Sequence, residues 1–130
     1  MISQRSWNFL LLTLFLALAL AACGSSGSGS EQPVYSPEMV AEGQKYFQQT
    51  CSTCHGPEGL GIENLGKNLV TSEFVHERTD AELLTYVNTG RPVDDPLNTT
   101  GIPMPPKGGN QALTDEQIQA IIAYIRSIQG

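Results

Sequence analysis

The stretch that decides how this chain folds is Cys51-Ser52-Thr53-Cys54-His55. Two thiols three positions apart, followed at once by an imidazole, form the pattern that attaches haem covalently and gives its iron one axial ligand. On a single helical turn both sulfurs point to one side, so each can meet one vinyl group of the same macrocycle. The pattern therefore predicts thioether bonds at Cys51 and Cys54, with His55 as an axial ligand of the iron.

Two other kinds of site use cysteines at this spacing. A thioredoxin-like redox dithiol normally lies in a βαβ setting, and a zinc site needs four ligands. Beyond Cys23 the only further His or Cys is His76, and His55 adjoins Cys54 too closely for both to chelate one tetrahedral ion well. We favour haem attachment over these alternatives because it also accounts for the rest of the chain.

The N-terminus has the features of a lipoprotein signal peptide, which we assign to residues 1–22. Arg5 supplies the positive charge, an apolar run spans Phe9–Leu20, and Leu20-Ala21-Ala22 leads to Cys23. These last four residues resemble the bacterial lipobox, in which the cysteine is acylated and becomes the first mature residue. The alternative is an ordinary cleaved signal with an incidental cysteine. We expect export, and a lipid anchor on Cys23 at the periplasmic or outer face of the cell membrane.

The charge of the exported chain limits its partners. Removing residues 1–22 leaves 130 − 22 = 108 residues, and the loss of Arg5 changes the net charge from −6 to −7, because all 13 acids lie downstream. An acidic chain is a poor ligand for nucleic acid and is not attracted to anionic lipid. Any membrane association is therefore expected to come from the acyl chain.

Residues 23–36 are predicted to be a flexible linker. Gly24–Ser30 contains only glycine and serine after the anchor cysteine, without apolar periodicity. The remaining residues, 37–130, form one small domain in this prediction.

Three main helices are predicted in that domain. Ser36 caps the first, which runs to Thr50. Thr79 opens the second, which ends at Gly90, and Thr114 opens the third. The third helix has one strongly apolar face, made by Ile118, Ile121, Ile122, Ile125 and Ile128.

Gly43 lies inside the first predicted helix, where glycine costs about 1 kcal/mol relative to alanine. This cost indicates close approach by another element, and we place the crossing at Ile121 and Tyr124 of the last helix. The alternative is a tolerated surface glycine.

Two long loops complete the domain. Residues 56–68 are glycine-rich, and we expect a carbonyl of residues 66–69 to accept a hydrogen bond from His55. Residues 91–110 contain five prolines, which exclude a regular helix. Met104 stands between two of these prolines, so its stiff backbone presents the thioether with little loss of entropy. We predict Met104 as the second axial ligand, with His76 as the weaker candidate.

The ordered set of these features resembles a class I cytochrome c over residues 37–128. The residues that carry the resemblance are Gly43, Phe47, the motif 51–55, Gly66 to Leu69, Gly90, Met104-Pro105, Ile121 and Tyr124. The resemblance implies an all-α fold of three main helices and long loops around one covalently bound haem c. In the family, histidine and methionine are the axial pair, here His55 and Met104.

The chain departs from the family pattern in two places. Lys67 stands where relatives often have proline, and the only tryptophan, Trp7, lies in the signal peptide. Some relatives use a tryptophan to bind a haem propionate, so Arg91 or a tyrosine is expected to take that role. The end of the long loop, residues 102–109, also resembles the lipid-anchored monohaem subunit of alternative complex III, a bacterial quinol-oxidising assembly.

An iron bound by both His55 and Met104 has no open position for a substrate, so we expect an electron carrier and not an enzyme. The expected role is to carry single electrons in a bacterial respiratory or photosynthetic chain, from a quinol-oxidising membrane complex to a terminal acceptor. The alternative is a haem-based sensor or peroxidase-like protein in which Met104 detaches.

Overall fold

The computed structural model describes residues 33–129, and this part of the chain is helical. It contains three long helices and two short ones, and two isolated β-bridges but no strand. The helices are α1 (Pro37–Thr50), α2 (Ser52–His55), α3 (Glu73–His76), α4 (Asp80–Thr89) and α5 (Asp115–Ile128), with a short 3₁₀ helix at Pro106–Gly109. The predicted all-α class and the three main helices are confirmed.

The predicted signal peptide, the anchor residue Cys23 and most of the linker lie outside the described residues. Within residues 33–129, no helix combines the length and apolar character needed to cross a membrane.

Local hydrogen bonds fix where the long helices begin. The Ser36 hydroxyl accepts a hydrogen bond from the Met39 N–H at 3.2 Å. Thr79 and Thr114 each form a capping box, the first with Glu82 and the second with Gln117. These caps satisfy N–H groups that have no partner inside the helix, so the helix starts follow directly from the sequence.

Helices α1 and α5 cross with their backbones in contact. A Cβ atom on Gly43 would overlap the carbonyl group of Ala120, so only glycine fits at this position without a shift. One turn further along α1, Phe47 packs against Tyr124, with ring centroids 5.2 Å apart. The predicted crossing is confirmed. The closest partner of Gly43 is the Ala120 backbone, and Tyr124 contacts Phe47 instead.

The apolar core lies mainly between these two helices and α4. Ile118, Ile121 and Ile122 of α5 are almost fully buried, as the predicted apolar face requires. The whole buried cluster consists of Phe47, Val75, Leu83, Leu113, Ile118, Ile121, Ile122, Tyr124 and Ile125. One side of this core faces a cavity that is lined by residues of α2, α4, α5 and the long loops.

Arg126 ties the end of α5 to the segment around α3. Its guanidinium donates to the carbonyl of Val75 at 2.8 Å and to the carbonyl of Arg78, and its Nε lies 3.1 Å from the carboxylate of Asp80. The same carboxylate accepts a hydrogen bond from the hydroxyl of Tyr35, which belongs to the predicted linker. The last residues before α1 are therefore attached to the domain.

Candidate functional site

The motif 51–55 continues directly from α1. The Cys51 N–H donates to the carbonyl of Phe47 at 2.8 Å, and the N–H groups of Cys54 and His55 both donate to the carbonyl of Cys51, at 3.2 and 3.0 Å. Gly56 then ends α2 with a φ of 75°, which favours glycine. The two cysteines and the histidine thus lie on one helical turn, as the spacing predicts.

A backbone carbonyl orients the imidazole of His55. The Nδ1 atom lies 2.8 Å from the carbonyl oxygen of Lys67, within the predicted segment 66–69. Lys67 is therefore the residue that supplies the carbonyl, although relatives often have proline there. With Nδ1 donating to this oxygen, Nε2 is the nitrogen left to face a metal.

The loop that carries Lys67 is fixed against the motif. Ile62 and Gly66 form an isolated bridge, with both N–H to carbonyl distances close to 3.0 Å. A Cβ atom on Gly66 would overlap the carbonyl of Cys54, so the loop passes directly beside the second cysteine. This close approach brings the Lys67 carbonyl within reach of His55.

Burial sets the protonation of the thiol and the imidazole. The pKa of Cys51 is raised to about 12, chiefly by burial and then by the nearby Cys54. Burial lowers the pKa of His55, and the hydrogen bond to the Lys67 carbonyl partly opposes this effect. Near neutral pH the imidazole is therefore neutral, which is the form that binds metals.

A second bridge holds Met104. The Arg91 N–H donates to the Met104 carbonyl at 2.8 Å, and the Met104 N–H donates to the Arg91 carbonyl at 2.9 Å. Gly90 precedes this bridge with a φ of 74°, and a Cβ atom there would overlap the Met104 carbonyl. The end of α4 thus fixes the backbone of Met104 within a segment that contains no α-helix.

Asn98 organises the turn between the two sides of this bridge. Its side-chain amide donates to the carbonyls of Pro92 and Ile102, at 3.2 and 2.9 Å. Its side-chain oxygen accepts hydrogen bonds from the N–H groups of Thr100 and Gly101. Residues 91–104 of the proline-rich loop therefore form an ordered, hairpin-like turn whose two ends meet beside α4.

The four predicted site residues line one cavity of about 480 Å³. Cys51, Cys54 and His55 come from α2 and its junction with α1, and Met104 comes from the long loop. The volume lies within the usual range of small-molecule sites, about 300 to 1,000 Å³. Much of the remaining wall is apolar, and includes Leu69, Phe74, Val75, Leu83, Val87, Leu113, Ile121, Ile122 and Ile125.

His76, the weaker candidate for an axial ligand, is exposed and does not line this cavity. Among residues 33–129, no three His, Cys, Asp or Glu side chains are grouped in a way that could hold a metal ion. The zinc alternative for the two cysteines therefore has no ligand set in this part of the chain.

Arg91 lines the cavity, and its charged side chain is largely buried. Its side chain is 11% exposed, and its guanidinium carbon lies 4.6 Å from the ring centroid of Phe74 and 5.1 Å from that of Tyr86. One Nη donates to the carbonyl of Leu97 at 3.1 Å. Its Nε is buried and has no hydrogen-bond partner within the described part of the chain.

These residues fit a haem. The apolar walls suit a porphyrin, and the two thiols of Cys51 and Cys54 are free and lie in the wall beside His55. The unpartnered Nε of Arg91 suits a carboxylate, and haem carries two. The sequence pattern identified the residues of the motif and Met104, but it gave no sign of the bridge between Arg91 and Met104.

Known proteins similar to this chain agree with that fit. The family model described as Cytochrome c matches residues 40–129. The relatives include proteins named cbb3-type cytochrome c oxidase subunit CcoP. The protein from Azospirillum sp. (strain B510) is 29% identical over 93 residues, which cover 70% of this chain and 31% of the relative. The protein from Rhodobacter capsulatus is 28% identical over 102 residues, 78% of this chain and 33% of the relative.

The chain thus spans about a third of the length of these relatives. A solved structure of the KustC0563 c-type cytochrome aligns with 68% of this chain and 98% of its own, at 22% identity and a TM-score of 0.48. Because the family model covers most of the chain and the described residues form the matching site, the chain belongs to the cytochrome c family.

Proposed function

We propose that the chain carries single electrons, using one haem c bound through Cys51 and Cys54, with His55 and Met104 as the axial ligands. The observation that carries this proposal is that these four residues line a single apolar cavity. The sequence contains one Cys-x-x-Cys-His motif, which supports one haem.

The protein's own groups define how such a site works. When bound, haem supplies an iron that accepts and releases one electron. The neutral imidazole of His55 and the thioether of Met104 would both hold the iron, and the protein would then leave no open position for a substrate. The carbonyl of Lys67 accepts a hydrogen bond from the Nδ1–H of His55 and so would increase the basicity of Nε2.

The cavity walls favour the reduced state. The apolar side chains of the cavity wall exclude water, and together with a methionine ligand they would raise the reduction potential of a bound haem. The ring of His55 is held by a hydrogen bond to the Lys67 carbonyl, and the backbone of Met104 is held by the bridge to Arg91. A positive potential suits a carrier between a quinol-oxidising complex and a terminal acceptor.

The relatives bear on the choice of partner. They are named as subunits of cbb3-type cytochrome c oxidases, which supports a membrane complex of a respiratory chain as the redox partner. We place the domain at the periplasmic or outer face of the cell membrane, tethered by an acyl chain on Cys23. The lipobox-like residues 20–23 support this location.

The test compares this role with that of a sensor or peroxidase-like protein. Ferrous holoprotein is mixed with carbon monoxide at neutral pH, and its oxidation by membranes that contain a terminal oxidase is then followed. A carrier with both axial positions filled does not bind carbon monoxide and is oxidised by the membranes. Rapid carbon monoxide binding together with slow oxidation would contradict the proposal and favour the alternative.

A further inference from the structure

The turn formed by residues 92–103 makes most of its hydrogen bonds within itself. The side chain of Asn98 bonds to several backbone groups of the same turn. The backbone bridge between Arg91 and Met104 closes the turn at its two ends. These bonds shape the turn, but they do not attach it to the glycine-rich loop of residues 56–68.

The side chain of Lys67 makes that attachment. Its ammonium group donates a hydrogen bond to the hydroxyl of Thr99. Among the hydrogen bonds of residues 33–129, this is the one that joins residues 92–103 to a part of the protein outside residues 91–104. A second cavity at this place is lined by residues of both loops, so the two loops are neighbours there.

Little apolar burial helps to hold the turn in place. Val93, Leu97 and Ile102 are 57%, 55% and 44% exposed. Segments with few buried apolar contacts open locally at a lower free energy than the whole domain. The loss of one hydrogen bond at an exposed site has little effect on global stability, but it therefore weighs more in the opening of this turn.

The backbone of Lys67 is fixed on the other side of the contact. Its carbonyl lies 2.8 Å from Nδ1 of His55, and the bridge between Ile62 and Gly66 shapes its loop. Lys67 thus contacts the imidazole through its backbone and the turn that leads to Met104 through its side chain. Proline, which relatives often have at this position, has no side-chain donor, so the contact depends on the lysine of this sequence.

We propose that Lys67 is a positioning residue that keeps the 92–103 turn closed over the cavity and so slows detachment of the Met104 thioether. The inference rests on the proposed function, in which Met104 is an axial ligand. Leu97 and Ile102 of the turn line the cavity together with Met104. A wall that opens more often lets an external ligand replace the thioether faster.

The test follows the replacement of methionine by imidazole in the ferric holoprotein. In this exchange the bond between iron and the sulfur of Met104 breaks, a bond between iron and an imidazole nitrogen forms, and no electron is transferred. Loss of the methionine-to-iron absorption band gives the rate, which is measured at saturating imidazole, where detachment of the thioether limits it.

Five variants are compared with the wild type. Lys67→Met removes the donor, Thr99→Val removes the acceptor at nearly constant size, and the double variant combines the two changes. Thr99→Ser keeps a hydroxyl at the same place. Lys45→Met, at an exposed position of α1, is the control for the loss of a lysine charge.

Lys67→Met and Thr99→Val should each raise the rate of imidazole binding about two- to tenfold, the range that corresponds to the net loss of one hydrogen bond. The double variant should be no faster than the faster single variant, because both changes remove the same contact. Thr99→Ser and Lys45→Met should keep the wild-type rate. A wild-type rate in Thr99→Val would overturn the inference, even where Lys67→Met is faster, because the lysine would then act through another group.

Two thermal transitions separate a local role from a general one. The temperature at which the ferric methionine band disappears should fall in Lys67→Met and Thr99→Val, while the temperature of helix unfolding, followed by circular dichroism, should stay close to that of the wild type. Equal shifts of the two transitions, or no shift of either, would overturn the inference and leave the proposed function intact. A wild-type protein without the methionine band would overturn both.

Discussion

Gly43 of α1 lies against the carbonyl group of Ala120 in α5, with no room for a side chain between the two backbones. This contact sets the crossing of the first and last helices, and it brings Phe47 against Tyr124. Because α1 leads directly into the motif 51–55, the crossing also sets where the two cysteines enter the cavity.

Gly43→Ala should destabilise the fold, although alanine is the better helix former by about 1 kcal/mol. The added Cβ overlaps backbone atoms, which cannot move away as a flexible side chain can, and such overpacking typically costs about 1 to 3 kcal/mol. The free energy of unfolding, obtained from denaturant titration, checks this prediction.

The matched control for Gly43→Ala is Ala41→Gly, at an exposed position of the same helix. It should destabilise by about 1 kcal/mol through helix propensity alone. Helix propensity predicts opposite signs for the two substitutions, whereas the crossing predicts that both destabilise. A more stable Gly43→Ala protein would mean that the helices do not meet at this glycine.

Arg126→Met should destabilise the fold by about 3 kcal/mol, because it removes the hydrogen bonds to the carbonyls of Val75 and Arg78 and breaks the ion pair with Asp80. Its side chain is 7% exposed, so water cannot easily replace it. Lys45→Met, at an exposed position of α1, is the control and should change stability by less than about 0.5 kcal/mol. Similar effects of the two substitutions would rule out the role of Arg126 in tying α5 to α3.

These two sites differ in how far they could be predicted from the sequence. The cost of a glycine inside a helix predicted close approach at Gly43, and the crossing with the last helix was predicted with it, but the contact with the Ala120 backbone was not. The acceptors of Arg126 lie 46 to 51 positions away in the sequence, so no local sequence pattern could predict these hydrogen bonds. The short helix α3, capped by Ser72, is four residues long and was too brief to show periodicity.

The two capping boxes predict a difference in acid sensitivity. The Glu82 carboxylate accepts hydrogen bonds from the N–H and hydroxyl of Thr79, and these bonds lower its pKa. A carboxyl group whose pKa is lower in the folded state adds stability above its unfolded pKa, and that stability is lost as the pH falls through the folded pKa. Gln117 occupies the same position in α5 and does not titrate.

Glu82→Gln should therefore weaken the loss of stability below about pH 4.5, the ordinary pKa of a glutamate carboxyl group, relative to the wild type. Gln117→Glu should have the opposite effect, because it adds a second titrating cap. Urea unfolding at several pH values between about 3 and 6 measures both differences. If the free energy of unfolding depends on pH in the same way in all three proteins, protonation of the Glu82 cap does not affect stability.

The lipid anchor is tested by Cys23→Ser. If Cys23 is acylated, this variant should lose the anchor and yield holoprotein with an unchanged spectrum and potential but slower electron transfer to membrane-bound acceptors, because tethering raises the effective concentration. Mass spectrometry of the mature N-terminus gives the direct evidence. An unmodified wild-type N-terminus, or cleavage elsewhere than between Ala22 and Cys23, would exclude the anchor.

The site itself was predictable to different depths. The spacing of the two cysteines and the histidine in motif 51–55 indicates haem attachment by itself. His55 and a carbonyl partner in residues 66–69 could therefore be predicted. Met104 was singled out by its flanking prolines. The bridge to Arg91 could not be predicted, since it joins residues 13 positions apart across an irregular loop in which Asn98 makes the turn.

Met104→Ala should open the sixth coordination position, lower the reduction potential and create carbon monoxide binding in the ferrous state, because water replaces a soft thioether. The alanine keeps both backbone hydrogen bonds to Arg91, so the loop should stay folded. Met39→Ala, in the first turn of α1, is the control and should leave the potential and carbon monoxide binding unchanged.

The absorption spectrum of the ferric holoprotein at neutral pH tests the central claim most directly, since the methionine-to-iron charge-transfer band arises only when a thioether is bound. We expect the band in the wild type and its loss in Met104→Ala, as required of a carrier whose iron is closed by His55 and Met104. A wild-type spectrum without the band, or a band that persists in Met104→Ala, would contradict the account.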